Sequence, residues 1–310
     1  MKAIFIESYG GPEVMQFGDQ PTPIPGPGEV AVAVRAASIN PIDWKIRAGL
    51  VRQFFPLTFP AVLGRDFSGV VAAIGDGVID LPLGAEVIGM ADPKRGGSHA
   101  ELIAVDRGLV AGKPGNVGHV EAASLPLAGV TALIALEEVA GLAAGQRVLV
   151  HAGAGGVGGF AVQLAKHRGA WVAATCSAAN ADYVRALGAD QVLDYARDDF
   201  TAMLSRLDIV FDTVGGDTSR RSAITLRPGG TLVQIAAAPI LDPPTRDDIS
   251  VKAATIRPRR DLLERITALV ESGAIKPQVG TTLPLAEARR GYEQSRTGHQ
   301  RGKIVLRVTS

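Results

Sequence analysis

Five glycines stand among the seven residues 153–159, and this stretch limits the possible folds more than any other part of the chain. It follows a strand-like apolar run at residues 146–150 and precedes residues 160–167, where apolar side chains recur at helical spacing. The run Gly153-Ala154-Gly155-Gly156-Val157-Gly158 matches the pattern G-x-G-x-x-G, which marks a turn between a strand and a helix. We therefore predict a strand, a glycine turn and a helix.

The three glycines of the pattern have separate physical tasks. Gly153 allows the tight turn, Gly155 lets main-chain N–H groups approach a pyrophosphate, and Gly158 allows the helix to pack closely on the strand. The helix N-terminus adds unpaired N–H groups and about half a positive charge, which favour a phosphate anion. The pattern alone is weak evidence, but a further strand is predicted at residues 171–177, as this use requires. We therefore predict that residues 153–158 bind a dinucleotide; the alternative is a purely structural glycine turn.

The residues after the next strand indicate which dinucleotide would bind. A fold of this kind that prefers NAD places Asp or Glu about 20 residues after the glycines, where the carboxylate binds the ribose hydroxyls. Residues 170–181 contain no acidic residue, and Thr175 and Ser177 end the strand, which leaves hydrogen-bond donors and room for a 2'-phosphate. NADP(H) is therefore favoured over NAD(H). No Arg or Lys stands at the turn itself, and Arg185 and Tyr195 are the nearest candidates to reach it.

The rest of the sequence falls into two textures. The N-terminal third alternates short apolar runs with Gly and Pro, which predicts a mostly β domain. From about residue 120, β-branched runs alternate with helical stretches, which predicts a parallel sheet covered by helices on both faces. The tail at residues 303–310 returns to the first texture and is expected to rejoin the first domain as a strand. The predicted fold class is α/β, with a β domain at residues 1–120 and 273–310 and a doubly wound parallel sheet at residues 121–272.

Later strands of that sheet contribute further candidates. Ligands of open parallel sheets bind at the carboxyl ends of the strands. Val214, Ile235, Ala236 and Ala237 stand at such ends. We predict that their backbone frames the nicotinamide half of the cofactor.

Charge and apolar content restrict the partners. Lys and Arg number 32 against 31 Asp and Glu, a formal net charge of +1, so no broad electrostatic field would attract nucleic acid or an anionic membrane. Small neutral partners are expected. The N-terminal apolar run of four residues ends before Glu7, which is too short for a signal peptide. Residues 122–136 are very apolar, but they include Ser124 and Pro126 and fall short of the roughly 18 residues of a spanning helix. We expect a cytoplasmic protein with no membrane segment.

An ordered set of motifs runs through nearly the whole chain: SINPIDWKIRAG, FPAVLGRDFSGVVAAIGDGV, GVTALIAL, AGAGGVGGFAVQLAK, LGADQVLDY, FDTVGG and GKIVLRV. This set resembles the medium-chain dehydrogenase/reductase superfamily and is similar to its zinc-independent quinone oxidoreductase and enone (alkenal) reductase branch. The order of the motifs is far more specific than any one of them.

The resemblance implies a GroES-like β-barrel domain closed by the C-terminal segment, an inserted Rossmann domain, and an active site in the cleft between them. It also implies NADPH as hydride donor and a homodimer. Thr131 matches a family threonine beside the nicotinamide, although alone it could simply bond within a helix. Lys303 matches a family motif that returns toward the cleft and cofactor, but it could equally be a surface lysine.

The resemblance also bears on zinc. In zinc-dependent alcohol dehydrogenases of this superfamily, a cysteine ligand stands where this chain has Asn40, and a Gly-His-Glu motif aligns with Gly64-Arg65-Asp66. Both of those ligands are missing. Cys176 is the chain's one cysteine, so the four-cysteine structural zinc lobe is missing too, and we expect Cys176 to be a buried structural thiol. No two of the five histidines stand at ligand spacing such as i, i+4. No metal is expected.

Without a metal, the chemistry expected is reduction of an electron-poor acceptor, a quinone or an α,β-unsaturated carbonyl, with hydrogen-bond donors at the carbonyl oxygen. Three candidate catalytic residues follow. Asn40 could bond the substrate carbonyl or the nicotinamide, or could merely start a turn before Pro41. Lys45 could donate to the enolate oxygen or carry a proton, or could be a solvated surface lysine. Asp43 is expected to orient a neighbour.

Four aromatic residues are candidates for an apolar substrate pocket: Trp44, Phe54, Phe55 and Phe59. Ordinary packing explains each of them equally well. The preferred function is a zinc-independent, NADPH-dependent quinone or enone reductase that acts on a small apolar carbonyl compound or quinone. The alternative is an NADP(H)-binding protein with little turnover, acting as a redox-sensing or structural partner.

Overall fold

A computed structural model describes residues 1–235 and 246–308. The chain forms two compact units, one made of Met1–Leu127 with Arg257–Ser310 and the other of Ala128–Ile256. We refer to them as the barrel unit and the nucleotide unit. The sequence predicts that the second domain ends at residue 272, whereas in the structure the nucleotide unit ends at Ile256 and the barrel unit resumes at Arg257.

The strands follow in chain order. They are β1 (Lys2–Ile6), β2 (Gln16–Asp19), β3 (Glu29–Ile39), β4 (Ala61–Val62), β5 (Asp66–Ile74), β6 (Glu86–Met90), β7 (Leu102–Asp106), β8 (Val110–Gly112), β9 (Arg147–Val150), β10 (Trp171–Cys176), β11 (Gln191–Asp194), β12 (Leu207–Asp212), β13 (Leu226–Gln234), β14 (Ser250–Ala253), β15 (Val279–Pro284) and β16 (Lys303–Arg307).

The helices also follow in chain order. They are α1 (Pro41–Arg47), α2 (His119–Ala123), α3 (Pro126–Leu133), α4 (Gly156–His167), α5 (Ala181–Ala186), α6 (Phe200–Met203), α7 (Asp217–Thr225), α8 (Arg260–Glu271) and α9 (Ala288–Arg296). A π-helix, Ile134–Val139, continues α3. Short 3₁₀ turns lie at Pro12–Val14, Arg107–Leu109, Ala178–Asn180 and Leu285–Glu287.

The barrel unit is organised around the long strand β3. Arg35 is the one exposed residue of β3, and the four residues after it are all buried, so both faces of the strand are covered near its end. β5, β7 and β16 all pair antiparallel with β3. β16 therefore joins the first domain as a strand, as predicted. Helix α8 also belongs to this unit, because the Thr267 hydroxyl donates to the carbonyl of Gly112 at 2.7 Å and the Asn116 amide donates to the carbonyl of Val270 at 3.0 Å.

The nucleotide unit contains a six-stranded sheet in the order β11-β10-β9-β12-β13-β14, with every pair parallel. The order reverses between β9 and β12, so the predicted doubly wound sheet is confirmed, with its switch point at the end of β9. One apolar cluster fills a face of this sheet: Leu149, Ala173, Leu193, Phe200, Leu204, Leu207, Val210, Leu226 and Leu232. Each large side chain of this kind stabilises the fold by about 1.5–3 kcal/mol.

Candidate functional site

The glycine turn joins β9 to α4 at the switch point. Gly155 precedes the first helical residue, with extended backbone (φ −77°, ψ 172°). A Cβ on Gly158 would lie 2.2 Å from the carbonyl oxygen of Ala152, and one on Gly153 would lie 2.9 Å from the Cβ of Ala174. A Cβ on Gly155 would meet only the Ala152 oxygen, at 3.4 Å. Gly153 and Gly158 are therefore required by packing, whereas Gly155 keeps space open in front of the helix.

Thr175 lies beneath this turn. Its side-chain oxygen accepts a hydrogen bond from the N–H of Ala152 at 3.2 Å, and its carbonyl accepts one from the N–H of Gly153 at 2.8 Å. Ala152 has a φ of +52°, which an L-residue rarely adopts, and these bonds hold it there. The cofactor contact predicted for Thr175 stays a prediction; the structure gives this buried side chain the task of fixing the turn.

Two buried groups that the sequence analysis overlooked shape the neighbouring loop. His151 lies between Thr175 Oγ1 at 3.1 Å and Ser222 Oγ at 2.9 Å, and burial lowers its pKa to about 4. Asp212 ends β12 and accepts from the N–H groups of Val214 at 2.8 Å and Gly215 at 3.0 Å. Val214, predicted to frame the cofactor, is thereby held with its side chain largely exposed. The signal for both groups was available: each is a polar residue at a strand's carboxyl end.

The turn after β10 carries the groups expected to select the dinucleotide. Ser177 is partly exposed, and its Oγ accepts from the Asn180 amide at 3.1 Å. Tyr195 exposes its ring, and its N–H donates to the carbonyl of Cys176 at 3.1 Å. Arg185 pairs with exposed Asp182 at 2.6 Å. Burial raises the pKa of the Cys176 thiol, which agrees with a structural cysteine.

Thr131 lies on α3 with 2% of its surface exposed, and its hydroxyl has no hydrogen-bond partner among the described residues. A buried hydroxyl left unpaired costs about 1–3 kcal/mol, so it is unusual unless a ligand pairs with it. The π-helix begins three residues later, and such irregular turns are frequent at functional sites.

Together, the open glycine turn and the orphaned Thr131 hydroxyl fit a bound dinucleotide. Ile235 follows β13, and its N–H donates to the carbonyl of Asp212 at 3.3 Å. Ala236 and Ala237 lie outside the described residues, so their predicted contacts stay predictions.

In the barrel unit, Asn40 begins helix α1 and is 1% exposed. Asp43 accepts a hydrogen bond from the N–H of Asn40 at 2.8 Å through Oδ2, and its role as an orienting residue stays a prediction. The Asn40 side chain lies between two charges: its Nδ2 donates to Asp66 Oδ2 at 3.0 Å, and its Oδ1 accepts from Lys303 Nζ.

Three adjacent strands bring these groups together. Ser38 lies opposite Asp66 in the pairing of β3 with β5, and Ile39 lies opposite Ile304 in the pairing of β3 with β16. Asp66 Oδ2 also accepts from the Ser38 hydroxyl at 3.0 Å, and Lys303 Nζ donates to the carbonyl of Ile39 at 3.2 Å. Lys303, predicted to bind the cofactor, is therefore a buried member of this polar cluster.

Gly302 sets the direction in which Lys303 enters the cluster. It has a φ of +61°, and a Cβ there would lie 2.8 Å from the carbonyl oxygen of Gln278. That same oxygen accepts from the N–H of Lys303 at 2.8 Å. Only glycine fits this position without strain.

The cluster's charges influence one another. Burial raises the pKa of Asp43 to about 7, with nearby Asp66 acting in the same direction, whereas Arg65 and Lys303 act against it. Asp43 Oδ1 is buried with no hydrogen-bond partner among the described residues. Burial lowers the pKa of Lys303, while Asp66 favours its charged form. Arg65 is likewise buried, and its Nε donates to the carbonyl of Ala91 at 3.2 Å.

Lys45 and the four aromatic residues have different surroundings. The Lys45 ammonium lies 5.6 Å from the ring centroid of Trp44, and partial burial lowers the pKa of Lys45. Trp44 and Phe59 pack against the cluster of apolar side chains around Ile4 and Tyr292. The other two aromatic residues are more accessible to solvent. Phe54 is exposed, and Phe55 is half-buried with its ring centroid 6.5 Å from that of Phe54.

Among the residues that the structure describes, no three His, Cys, Asp or Glu side chains gather in a group able to hold a metal ion. Over the same residues, every helix is too short or too polar to cross a bilayer.

Comparison with known proteins adds the following. A family model described as alcohol dehydrogenase GroES-like domain matches residues 26–120, and one described as zinc-binding dehydrogenase matches residues 187–306. The chain is 35% identical to the chloroplast envelope quinone oxidoreductase homolog of Arabidopsis thaliana, covering 99% of this chain and 98% of the relative. It is 34% identical to the 2-methylene-furan-3-one reductase of Solanum lycopersicum, covering 99% and 79%.

Solved structures are similar over the whole chain. The quinone oxidoreductase from Coxiella burnetii superposes with a TM-score of 0.93 at 34% identity, covering 100% of this chain and 99% of that one. The Escherichia coli quinone oxidoreductase complexed with NADPH superposes with a TM-score of 0.88 at 27% identity, covering 99% and 100%.

Proposed function

This chain belongs to the medium-chain dehydrogenase/reductase superfamily, in its zinc-independent quinone oxidoreductase branch, and on that premise we propose that it is an NADPH-dependent reductase of quinones or α,β-unsaturated carbonyl compounds. The observation that carries the proposal is the glycine turn at the switch point, where Gly155 alone among the three pattern glycines keeps the space before α4 open. The Escherichia coli relative is complexed with NADPH, and the tomato relative is named for an enone, which agrees with both halves of the proposal.

The nucleotide unit's residues would hold NADPH. The N–H groups at the start of α4 favour the pyrophosphate. Ser177 would donate a hydrogen bond to the 2'-phosphate. The exposed Tyr195 lies beside that turn, because its N–H donates to the carbonyl of Cys176, the last residue of β10. The Thr131 hydroxyl is available for the nicotinamide end. When bound, the dihydronicotinamide supplies the hydride.

The barrel unit's residues would act on the acceptor. Reduction places negative charge on the carbonyl oxygen, and fixed N–H donors stabilise that charge best where water is excluded. Asn40 Nδ2 is one such donor. Trp44 Nε1 is another, since it is buried with no hydrogen-bond partner among the described residues. Apolar side chains such as Phe54 and Phe55 suit a small apolar acceptor.

Lys45 is the proposed proton carrier. Its ammonium is partly buried beside Trp44, and burial lowers its pKa, which makes its Nζ a better acid than a solvated lysine. The reduced acceptor then takes its proton from Lys45 Nζ or from water.

Steady-state oxidation of NADPH tests the proposal, with a panel of 1,4-benzoquinone, 1,4-naphthoquinone, 2-cyclohexen-1-one and trans-2-hexenal. We expect turnover of at least one acceptor and tighter binding of NADPH than of NADH. Tight NADPH binding with no turnover across the panel would instead favour a cofactor-binding protein with a sensing or structural task. Failure to bind either nucleotide would contradict both.

A further inference from the structure

The carboxamide of Asn40 has an orientation that its neighbours determine completely. A lysine ammonium can only donate hydrogen bonds, and a carboxylate can only accept them. Lys303 Nζ contacts Oδ1 of Asn40, and Asp66 Oδ2 contacts its Nδ2 at 3.0 Å. The reversed amide would place an N–H against the ammonium and an oxygen against the carboxylate.

We propose that Lys303 is a positioning residue that fixes the orientation of the Asn40 carboxamide, so that its free Nδ2–H is presented to the substrate. This inference rests on the proposed function, because it assigns the chemistry of that same site. The amide oxygen is taken by Lys303, and one Nδ2 proton is taken by Asp66. Lys303 occupies one lone pair of the amide oxygen and so determines which way round the carboxamide lies, and the second Nδ2 proton is left as the donor that Asn40 offers to a bound molecule.

The strand register explains why Lys303 can act in this way. Ile39 pairs with Ile304, so the residues that follow and precede them, Asn40 and Lys303, come together at the end of β3. The Lys303 ammonium also donates to the carbonyl of Ile39 at 3.2 Å and lies 3.6 Å from Asp66 Oδ2. It is buried, as are Asn40 and Asp66, so water does not compete for these bonds.

The fixed orientation of Asn40 favours one kind of ligand oxygen. A locked N–H donor favours a ligand oxygen that becomes more negative, as the oxygen of a reduced quinone or enone does. The site therefore suits the carbonyl oxygen of an acceptor that is being reduced.

Side-chain NMR of the cofactor-free protein tests the locking directly. The chain's asparagines are Asn40, Asn116 and Asn180, so labelling with ¹⁵N-asparagine gives three side-chain amide pairs, and Asn40→Ser identifies one of them. In Lys303→Met we expect the Asn40 pair to shift and its protons to exchange with solvent at least about ten times faster, because the amide has lost one of two partners.

Lys113→Met is the matched control. Lys113 is also a buried lysine of the barrel unit, paired with Glu86 at 3.3 Å and bonded to the carbonyls of Pro114 and Val117. Its loss is expected to leave the Asn40 pair unchanged. An Asn40 pair that behaves alike in Lys303→Met and Lys113→Met would overturn the proposal. If Lys303→Met does not fold, Lys303→Gln takes its place. Its shorter donor is expected to speed the exchange of the Asn40 amide protons with solvent at least about threefold. Exchange equal to that of the wild type would likewise overturn the proposal.

Kinetics provide the second readout. Lys303→Met is expected to lower kcat for 1,4-benzoquinone roughly 10- to 100-fold while the Kd of NADPH changes by less than about twofold, because the lost orientation matters in the transition state. Unchanged kcat would contradict positioning. If the wild type reduces no acceptor at all, the proposed function fails by itself, whereas the NMR result still decides whether Lys303 locks Asn40.

Discussion

Gly158 approaches Ala152 so closely that a Cβ on the glycine would lie 2.2 Å from the alanine carbonyl oxygen. That contact fixes helix α4 against the end of β9, and Gly155 is left to face open space. Two glycines of one motif therefore differ: packing requires Gly158, whereas Gly155 is the one that we propose leaves room for the cofactor.

Substitution of the two glycines is expected to separate these tasks. Gly158→Ala should lower the free energy of unfolding by about 2 kcal/mol, because the added methyl group overpacks a backbone contact. Gly155→Ala should leave stability unchanged or raise it by up to about 1 kcal/mol, yet weaken NADPH binding at least about tenfold by filling the space for the pyrophosphate. Urea denaturation and NADPH fluorescence titration measure the two effects. Normal NADPH affinity in Gly155→Ala would contradict the proposed binding site.

Thr131→Val is expected to raise the stability of the protein while weakening NADPH binding or catalysis. Valine keeps the shape of threonine and removes a buried hydroxyl without a partner, so the free energy of unfolding should rise by about 1 kcal/mol. The same change should reduce NADPH affinity or kcat, because we propose that this hydroxyl bonds the cofactor. Thr225→Val is the control: Thr225 Oγ1 is also buried but donates to Ser222 at 2.7 Å, and its loss should destabilise. Destabilisation by Thr131→Val would show that the hydroxyl already has a partner.

Asp43 is expected to make stability depend on pH. Its pKa in the folded protein is about 7, above the value of about 3.9 for an unfolded aspartate. Ionisation is therefore harder in the folded state, and the resulting penalty is absent near pH 4, grows as the pH rises and is complete above pH 7.

Asp43→Asn removes that penalty and keeps an acceptor for the N–H of Asn40. The variant should exceed the wild type in stability at pH 8 by up to roughly 4 kcal/mol, and the difference should vanish toward pH 4. Urea denaturation at pH 4.5, 6 and 8 measures it, with exposed Asp76→Asn as the control. A difference that does not grow between pH 4.5 and 8 would show that Asp43 titrates normally.

Ser177→Asp is expected to reverse the preference for the cofactor. A carboxylate at this turn repels a 2'-phosphate and accepts hydrogen bonds from the ribose hydroxyls of NADH. The ratio of the NADH to the NADPH dissociation constant should fall at least about tenfold. Ser205→Asp adds the same charge at another exposed position of the nucleotide unit and should leave the ratio unchanged. Equal ratios in both variants would place the 2'-phosphate elsewhere.

The sequence alone was sufficient for features that depend on local constraints. The glycine pattern predicted the turn at residues 153–158 because only glycine tolerates such close packing, and strand–helix alternation predicted the parallel sheet. The contact between Asp43 and Asn40 is local as well, three residues apart, although the sequence predicted only that Asp43 orients a neighbour and did not name Asn40. These features needed no knowledge of distant pairing.

Features that depend on long-range register could not be predicted in the same way. Lys303 meets Asn40 across 263 residues, through the pairing of β16 with β3. The motif indicated that Lys303 mattered, but not that it is buried against Asp66. Similarly, nothing near His99 in sequence shows that its ring is bonded to Tyr292 at 3.2 Å or that Gly64 must lack a Cβ to admit the histidine. The sequence likewise predicts helix α8 as part of the nucleotide-binding domain, because its bonds to the distant residues Gly112 and Asn116 of the barrel unit leave no local signal.

The pairing of β3 with β16 also affects synthesis on the ribosome. The nucleotide unit has all its described strands once residue 253 has emerged, whereas the barrel unit lacks its partner for residues 36–39 until residues 304–307 are made. The inserted unit can therefore fold first, while residues 36–39 of β3 remain without their partner strand. A nascent chain stalled before residue 303 would carry residues 36–39 unpaired, and an unpaired strand edge is a template for aggregation.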